Sequence, residues 1–217
     1  MSTVSCTNLG IELAKRTIFQ GVSLTCGPGS VTTLTGPSGC GKSTLLNALG
    51  LLLVPSQGDV LVDGESTKLW GDKRRVQYWH DHAAFIYQNF GTVEDETLSF
   101  NIVLNKAKQR TYSHQVNAAL KHVGLGGRAK ELASVLSGGE KQRLGFARAM
   151  FKHADVLYAD EPTASLDRAN RQMVIDLLRQ RASQGMTVIV ATHDDALASI
   201  ADANFTLPYR HEGQHFA

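Results

Sequence analysis

Nine consecutive residues, Gly36-Pro37-Ser38-Gly39-Cys40-Gly41-Lys42-Ser43-Thr44, constrain this chain more than any other feature. They fit the spacing GxxxxGK[ST], a loop whose backbone N–H groups wrap a phosphate. The β-branched run at 30–35 (SVTTLT) predicts a strand entering the loop. From Lys42 to about Leu53 the pattern predicts a helix, with Leu45, Leu46, Leu49 and Leu52 on one side. The glycines let successive N–H groups point inward and approach a phosphate closely. The helix beginning at Lys42 adds its positive dipole end. Lys42 would place a cation on the β- and γ-phosphates, Ser43 would offer its hydroxyl to Mg2+, and Thr44 would reach the α-phosphate. The loop alone says only nucleotide phosphate, leaving kinase, GTPase and ATPase all open.

The rest of the chain supplies a scaffold for such a loop. Residues 58–64 and 84–87 read as strands, the second ending at Gln88. From 89 to about 133 the pattern turns helical and polar. There Ser113 is a candidate N-cap, Val116, Ala119, Leu120 and Val123 form an apolar face, and Gly124 closes the helix. A helix is expected from about Glu140 to Phe151, then a strand at 155–159 running into Asp160 and Glu161. A further helix from about Asn170 places Met173, Val174, Leu177 and Leu178 on one face and stops near Gly185. A strand at 187–191 then leads to His193. Strands alternating with helices predict an α/β fold with a parallel sheet. Ligands of such sheets bind beyond the carboxyl ends of the strands, where the loop, the carboxylate pair, Gln88 and His193 can meet. Adjacent carboxylates at the end of a buried strand cost desolvation energy and so point to a cation or to catalysis. Asp160 would bind Mg2+, through water.

With 217 residues, 42% hydrophobic and 19% charged, the chain suits one globular domain or one domain with an inserted subdomain. A net charge of +2 gives no argument for nucleic acid or an anionic membrane surface, and no direct nucleic-acid partner is expected. Cys6, Cys26 and Cys40 are odd in number and lack a CxxC pair, which speaks against a disulfide framework or zinc site and for a reducing cytoplasm. The first residues carry no signal-peptide pattern. The longest apolar stretch, around 49–54, falls far short of the roughly 18–20 residues that span a bilayer. Any membrane part would belong to another polypeptide.

A second motif narrows the choice. Leu136-Ser137-Gly138-Gly139-Glu140 contains a capping box, with Ser137 as N-cap and Glu140 three residues on. A capped helix preceded by glycines is also an anion site, made of a hydroxyl, bare N–H groups and a dipole end. All five residues recur by chance on the order of once in several thousand such chains. With the phosphate loop (36–44), Gln88, the run Val156-Leu157-Tyr158-Ala159-Asp160-Glu161, the turn Ser165-Leu166-Asp167 and His193 in this order, the chain resembles the ABC ATPase family along nearly its whole length. The resemblance implies a P-loop NTPase (RecA-like) core with an antiparallel β subdomain and an inserted α-helical subdomain. The core would cover about 1–88 and 134–217 and the helical subdomain about 89–133, in a single domain over 1–217.

The resemblance further implies an ATPase acting as a head-to-tail dimer. ATP would be clasped between the phosphate loop of one subunit and Ser137, Gly138, Gly139 and Glu140 of the other. Glu161 would polarise the attacking water, Gln88 would sense Mg2+ and that water, and His193 would contact the γ-phosphate. Asp167 would touch the partner's site, though by itself it reads equally as an N-cap. The stretch from Tyr87 to Thr97 resembles the short exporter or mechanotransmission branch, which includes lipoprotein-releasing, macrolide-export and bacteriocin-export ATPases. That implies an integral membrane permease as partner and a place on the inner face of the cell membrane. The acidic run Glu94-Asp95-Glu96 would meet a basic segment of that partner or form a solvated loop. The alternative is a soluble ABC ATPase acting on nucleic acid or ribosomes; the motif at 136–140 argues against a small-molecule kinase.

The sequence departs from the family in one place. Many members stack adenine on an aromatic residue upstream of the phosphate loop, but residues 7–18 contain none. Ile11 or Leu13 would stand near that place, with Phe19 in the core. Cys40 sits beside a helix N-terminus, which can lower a thiol pKa; it reads either as a small residue that fits or as a thiol that ATP would protect from alkylation.

Overall fold

The computed structural model describes residues 1–89, 91–164 and 166–207. Phe90 of the stretch 87–97 and Ser165 of the turn 165–167 lie outside the described residues. In chain order the elements are β1 (Val4–Leu13), β2 (Arg16–Cys26), β3 (Val31–Thr35), α1 (Lys42–Leu49), β4 (Gln57–Val62), β5 (Glu65–Ser66), α2 (Asp72–Asp81) and β6 (Ala83–Ile86). There follow α3 (Leu98–Val103), α4 (Ser113–His122), α5 (Gly138–Phe151), β7 (Val156–Asp160), α6 (Arg168–Ser183), β8 (Thr187–Ala191), α7 (Asp195–Ile200) and β9 (Ala203–Thr206). The strands form two sheets. One is parallel, ordered β6-β7-β8-β3-β9; the other is antiparallel, ordered β2-β1-β4-β5. The expected α/β core and antiparallel β layer are both present.

Period-two alternation puts each central strand into two cores. Leu157 and Ala159 of β7, with Val188 and Val190 of β8, face the layer containing α5 and α6. Val156 and Tyr158 of β7, with Ile189 and Ala191 of β8, face α1 and the antiparallel sheet. Every residue of β8 is buried, the continuous apolar run expected of a central parallel strand. Leu45, Leu46 and Leu49 bury one side of α1, each contributing about 2 kcal/mol relative to exposure.

Three local expectations are corrected. Helix α1 stops at Leu49, where Leu51 turns to φ 61° and the N–H groups of Leu51 and Leu52 close the end onto Ala48 O at 3.0 Å and Asn47 O at 2.9 Å. Leu52 is therefore exposed instead of lying on the apolar face. Ser113 is the first helical residue of α4, not its cap. The preceding turn already winds helically, with Tyr112 N–H donating to Lys108 O, so no side-chain cap forms. Helix α2 has no apolar stripe to announce it and buries Tyr78. Its anchors are two polar ring contacts: Tyr78 Oη with buried Tyr158 Oη at 2.7 Å, and Trp79 Nε1 donating to Gly50 O at 2.9 Å.

Candidate active site

Adjacent strands β7, β8 and β3 deliver the site. The phosphate loop leaves β3 with Gly36 at φ 136° and enters α1 through Gly41 at φ 102°. These two glycines are required for space as well as for φ. A Cβ on Gly36 would stand 2.5 Å from Leu207 O, and one on Gly41 would stand 2.8 Å from Ile18 Cγ2. Pro37, Ser38 and Gly39 form the exposed crest of the loop, while Cys40 is buried beneath it. That placement favours Cys40 as the small residue that fits. Lys42 folds back over the loop and donates to Gly36 O at 2.9 Å and Pro37 O at 3.1 Å. Ser43 follows, with its hydroxyl donating to Asp160 Oδ1 at 2.8 Å, and Thr44 is half-buried one residue further along α1. Burial pushes the Asp160 carboxyl above its ordinary range and the charge of Glu161 adds to the rise, against the Ser43 hydrogen bond and the Lys42 cation.

Glu161 is held more tightly. Its backbone takes φ 46°, unusual for a residue with a side chain, and its N–H donates to Ala191 O at 2.9 Å. One carboxylate oxygen lies 2.8 Å from His193 Nδ1. The other accepts from Thr192 Oγ1 at 3.3 Å and from the His193 N–H at 3.4 Å. The His193 ring is otherwise open to solvent, its side chain 71% exposed. Gln142 Nε2, on the second turn of α5, donates to Glu161 O at 3.2 Å and ties that helix to the strand end. Gln88 lies two residues beyond β6, exposed, and no hydrogen bond joins it to Ser43, Asp160 or Glu161.

At the second motif the expected capping box is formed. Ser137 Oγ accepts from Glu140 N–H at 3.3 Å, and Glu140 Oε2 accepts from Ser137 N–H at 2.8 Å. These bonds and an ion pair with Arg128 hold the Glu140 carboxyl at about 2. Gly138, exposed, and Gly139, half-buried, open the helix. Among the described residues, no hydrogen bond or ion pair joins 137–140 to the phosphate loop. Asp167 caps α6 by accepting from Asn170 N–H at 2.9 Å.

Of the two aliphatic candidates for the base, Ile11 is buried and Leu13 is 43% exposed; Phe19 is core. The acidic run is largely neutralised inside the chain, with Glu94 paired to Lys141 and Glu96 to Lys106. Thr192, Gln142 and Arg128 have no assignment on sequence grounds. The first two adjoin the motifs, beside His193 and just after the capping box. Arg128 follows two glycines and carries no periodic signal.

Among the described residues no three His, Cys, Asp or Glu side chains gather as a metal site. A hydroxyl and a half-buried carboxylate 2.8 Å apart nevertheless fit Mg2+, which takes one or two protein oxygens and completes its shell with water and phosphate.

Comparison with known proteins agrees with this geometry. Residues 19–164 match the family model described as ABC transporter. The chain is 34% identical over 201 residues to the ABC transporter ATP-binding protein YtrE of Bacillus subtilis, covering 90% of this chain and 86% of that one. It is 35% identical over 196 residues to the lipoprotein-releasing system ATP-binding protein LolD 1 of Caulobacter vibrioides, covering 88% and 84%. A solved dimeric structure of the ATP-binding cassette MJ0796, in a post-hydrolysis state bound to ADP and Pi, superposes with a TM-score of 0.84 at 28% identity, covering 94% of each chain. The chain belongs to the ATP-binding subunits of the ABC transporter family.

Proposed function

We propose that this ATPase subunit works by closing head-to-tail on a second copy, each active site being shared between the two chains. One observation carries the reading: a single chain builds two helix N-termini suited to an anion, at Lys42 and at Ser137, that no hydrogen bond or ion pair joins among the described residues. Two copies related by a twofold axis can face each loop with the other's capping box and clasp two ATP molecules. The MJ0796 cassette, solved as a dimer bound to ADP and Pi, supports this.

Each residue then has a task. Residues 36–44 wrap the phosphates with backbone N–H groups, and Lys42 exchanges its two loop carbonyls for phosphate oxygens. Ser43 and Asp160 would hold Mg2+, with Gln88 as a further ligand. When bound, the metal would supply positive charge to offset that of the phosphates. Glu161, fixed by Thr192 and His193, orients the attacking water. His193 also reaches the γ-phosphate from its exposed ring. Ser137, Gly138 and Gly139 meet the γ-phosphate of the partner's ATP, with Glu140 holding their helix start in place.

The work is delivered to a separate membrane subunit. No helix among the described residues is long and apolar enough to cross a membrane. An open, largely apolar cleft of about 870 Å³ lies between β6, the end of α3 and the C-terminal end of α5, lined by Phe85, Tyr87, Ile102, Leu104, Tyr112 and Phe151. We assign this cleft to a segment of the membrane partner, with the subunit lying on the inner membrane face. The lipoprotein-releasing relative supports a transport role, of the export or mechanotransmission kind, over action on nucleic acid or ribosomes.

Mixing two inactive variants tests the shared site. A Lys42→Ala chain and a Ser137→Arg chain each spoil both sites of their own dimer. A mixed dimer contains one intact site, so hydrolysis returns on mixing. Absence of any recovery in demonstrated mixed dimers contradicts the reading.

A further inference from the structure

Glu140 creates an electrostatic problem at its own helix start. Its carboxylate suits the dipole of α5 and completes the capping box. The same helix end must also receive a phosphate, and two anions on one dipole end repel each other. The structure holds a counterweight. Glu140 Oε2 is occupied by the Ser137 N–H, and Glu140 Oε1 accepts from Arg128 Nη1. The same guanidinium reaches Glu131 Oε2 through Nε at 2.9 Å and Nη2 at 2.8 Å, which fixes its plane. The segment carrying Arg128 is itself pinned. Gly124 at φ 71° closes α4, Ser99 N–H donates to Ala129 O at 2.9 Å, and Leu98 N–H donates to Glu131 O at 2.9 Å. The Arg128 side chain is 29% exposed and that of Glu140 23%, so the pair is partly shielded from solvent. A guanidinium cannot shed its proton, so the counter-charge is permanent.

We propose that Arg128 is a positioning residue for the composite ATP site: it neutralises Glu140 and locks that carboxylate onto the Ser137 N–H, leaving the remaining N–H groups of the helix start for the partner's nucleotide. This rests on the two-subunit reading above. It concerns a residue outside the motifs, acting through Glu140 and not on the nucleotide itself.

The test uses the full chain carrying Glu161→Gln, with excess Mg-ATP, and measures dimerisation by sedimentation. Fluorescent ATP binding to dilute monomer is followed in parallel. Adding Arg128→Ala is expected to weaken the dimer by about tenfold, the scale set by removing one charge-assisted hydrogen bond. Monomer nucleotide affinity should not change. Adding Glu140→Gln to Arg128→Ala should restore dimerisation to within about threefold of the parent, because Gln keeps the capping-box bond and removes the charge. A staple that only held the segment to α5 would not be rescued by removing its second partner. A parent that dimerises beside an unaffected Arg128→Ala chain, or a double variant as weak as the single one, overturns the proposal alone. A parent that stays monomeric overturns the two-subunit reading and this inference with it.

Discussion

Leu13 and Glu140 show how much a single position can decide. With Ile11 buried, Leu13 is the exposed one of the two aliphatic candidates for a base to rest on. An aliphatic contact forgoes part of the roughly 0.5–1.5 kcal/mol that an aromatic pair adds. Equilibrium titration should therefore show a modest preference for ATP over GTP, and Leu13→Tyr should increase it severalfold; a hundredfold preference in the unaltered chain would contradict this. Glu140 governs a pH dependence. The Ser137 N–H, with Arg128 behind it, lowers its carboxyl from 4.5 to about 2 in the fold. A lowered carboxyl contributes stability above the unfolded value and loses it as pH falls toward the folded value. The urea-midpoint advantage of the unaltered chain over Glu140→Gln should thus be full above about pH 5 and shrink between pH 4.5 and 2. An advantage independent of pH would show that the carboxylate charge is not what the fold uses.

At the scale of elements, the strand-loop-helix unit from β3 to α1 depends on backbone geometry that glycine meets at both ends of the loop. Gly41 sits at φ 102° with Ile18 and Phe19 of β2 against it. Gly41→Ala should cost on the order of 1–3 kcal/mol in unfolding free energy from backbone strain and crowding, and should lower nucleotide affinity. Near-native stability and affinity would mean that the antiparallel sheet does not brace the loop. This unit was legible in the sequence because phosphate chemistry demands contiguous residues in fixed order. The same holds for Ser137 with Glu140, and for Asp160 with Glu161. Helix α2 was not legible, because two ring hydrogen bonds hold it in place of an apolar stripe. The stop of α1 before Leu52 lies in a left-handed turn at Leu51, a conformation that a leucine does not announce in sequence. Thr192, Gln142 and Arg128 act through partners 31, 19 and 12 residues away, separations that no local pattern encodes.

In the proposed dimer the whole molecule supplies half of each of two sites. Its phosphate loop, Ser43, Asp160 and Glu161 come together within one chain, while the capped helix at Ser137 would meet a nucleotide held by the other copy. The most direct measurement is the ATP-dependent association of the Glu161→Gln chain, which should bind Mg-ATP and hydrolyse it slowly. Sedimentation at high protein concentration should show dimers accumulating with Mg-ATP and monomers without it. Adding Ser137→Arg should abolish the dimer while leaving monomer nucleotide binding intact. A Glu161→Gln chain that binds Mg-ATP and remains monomeric would contradict the shared-site account.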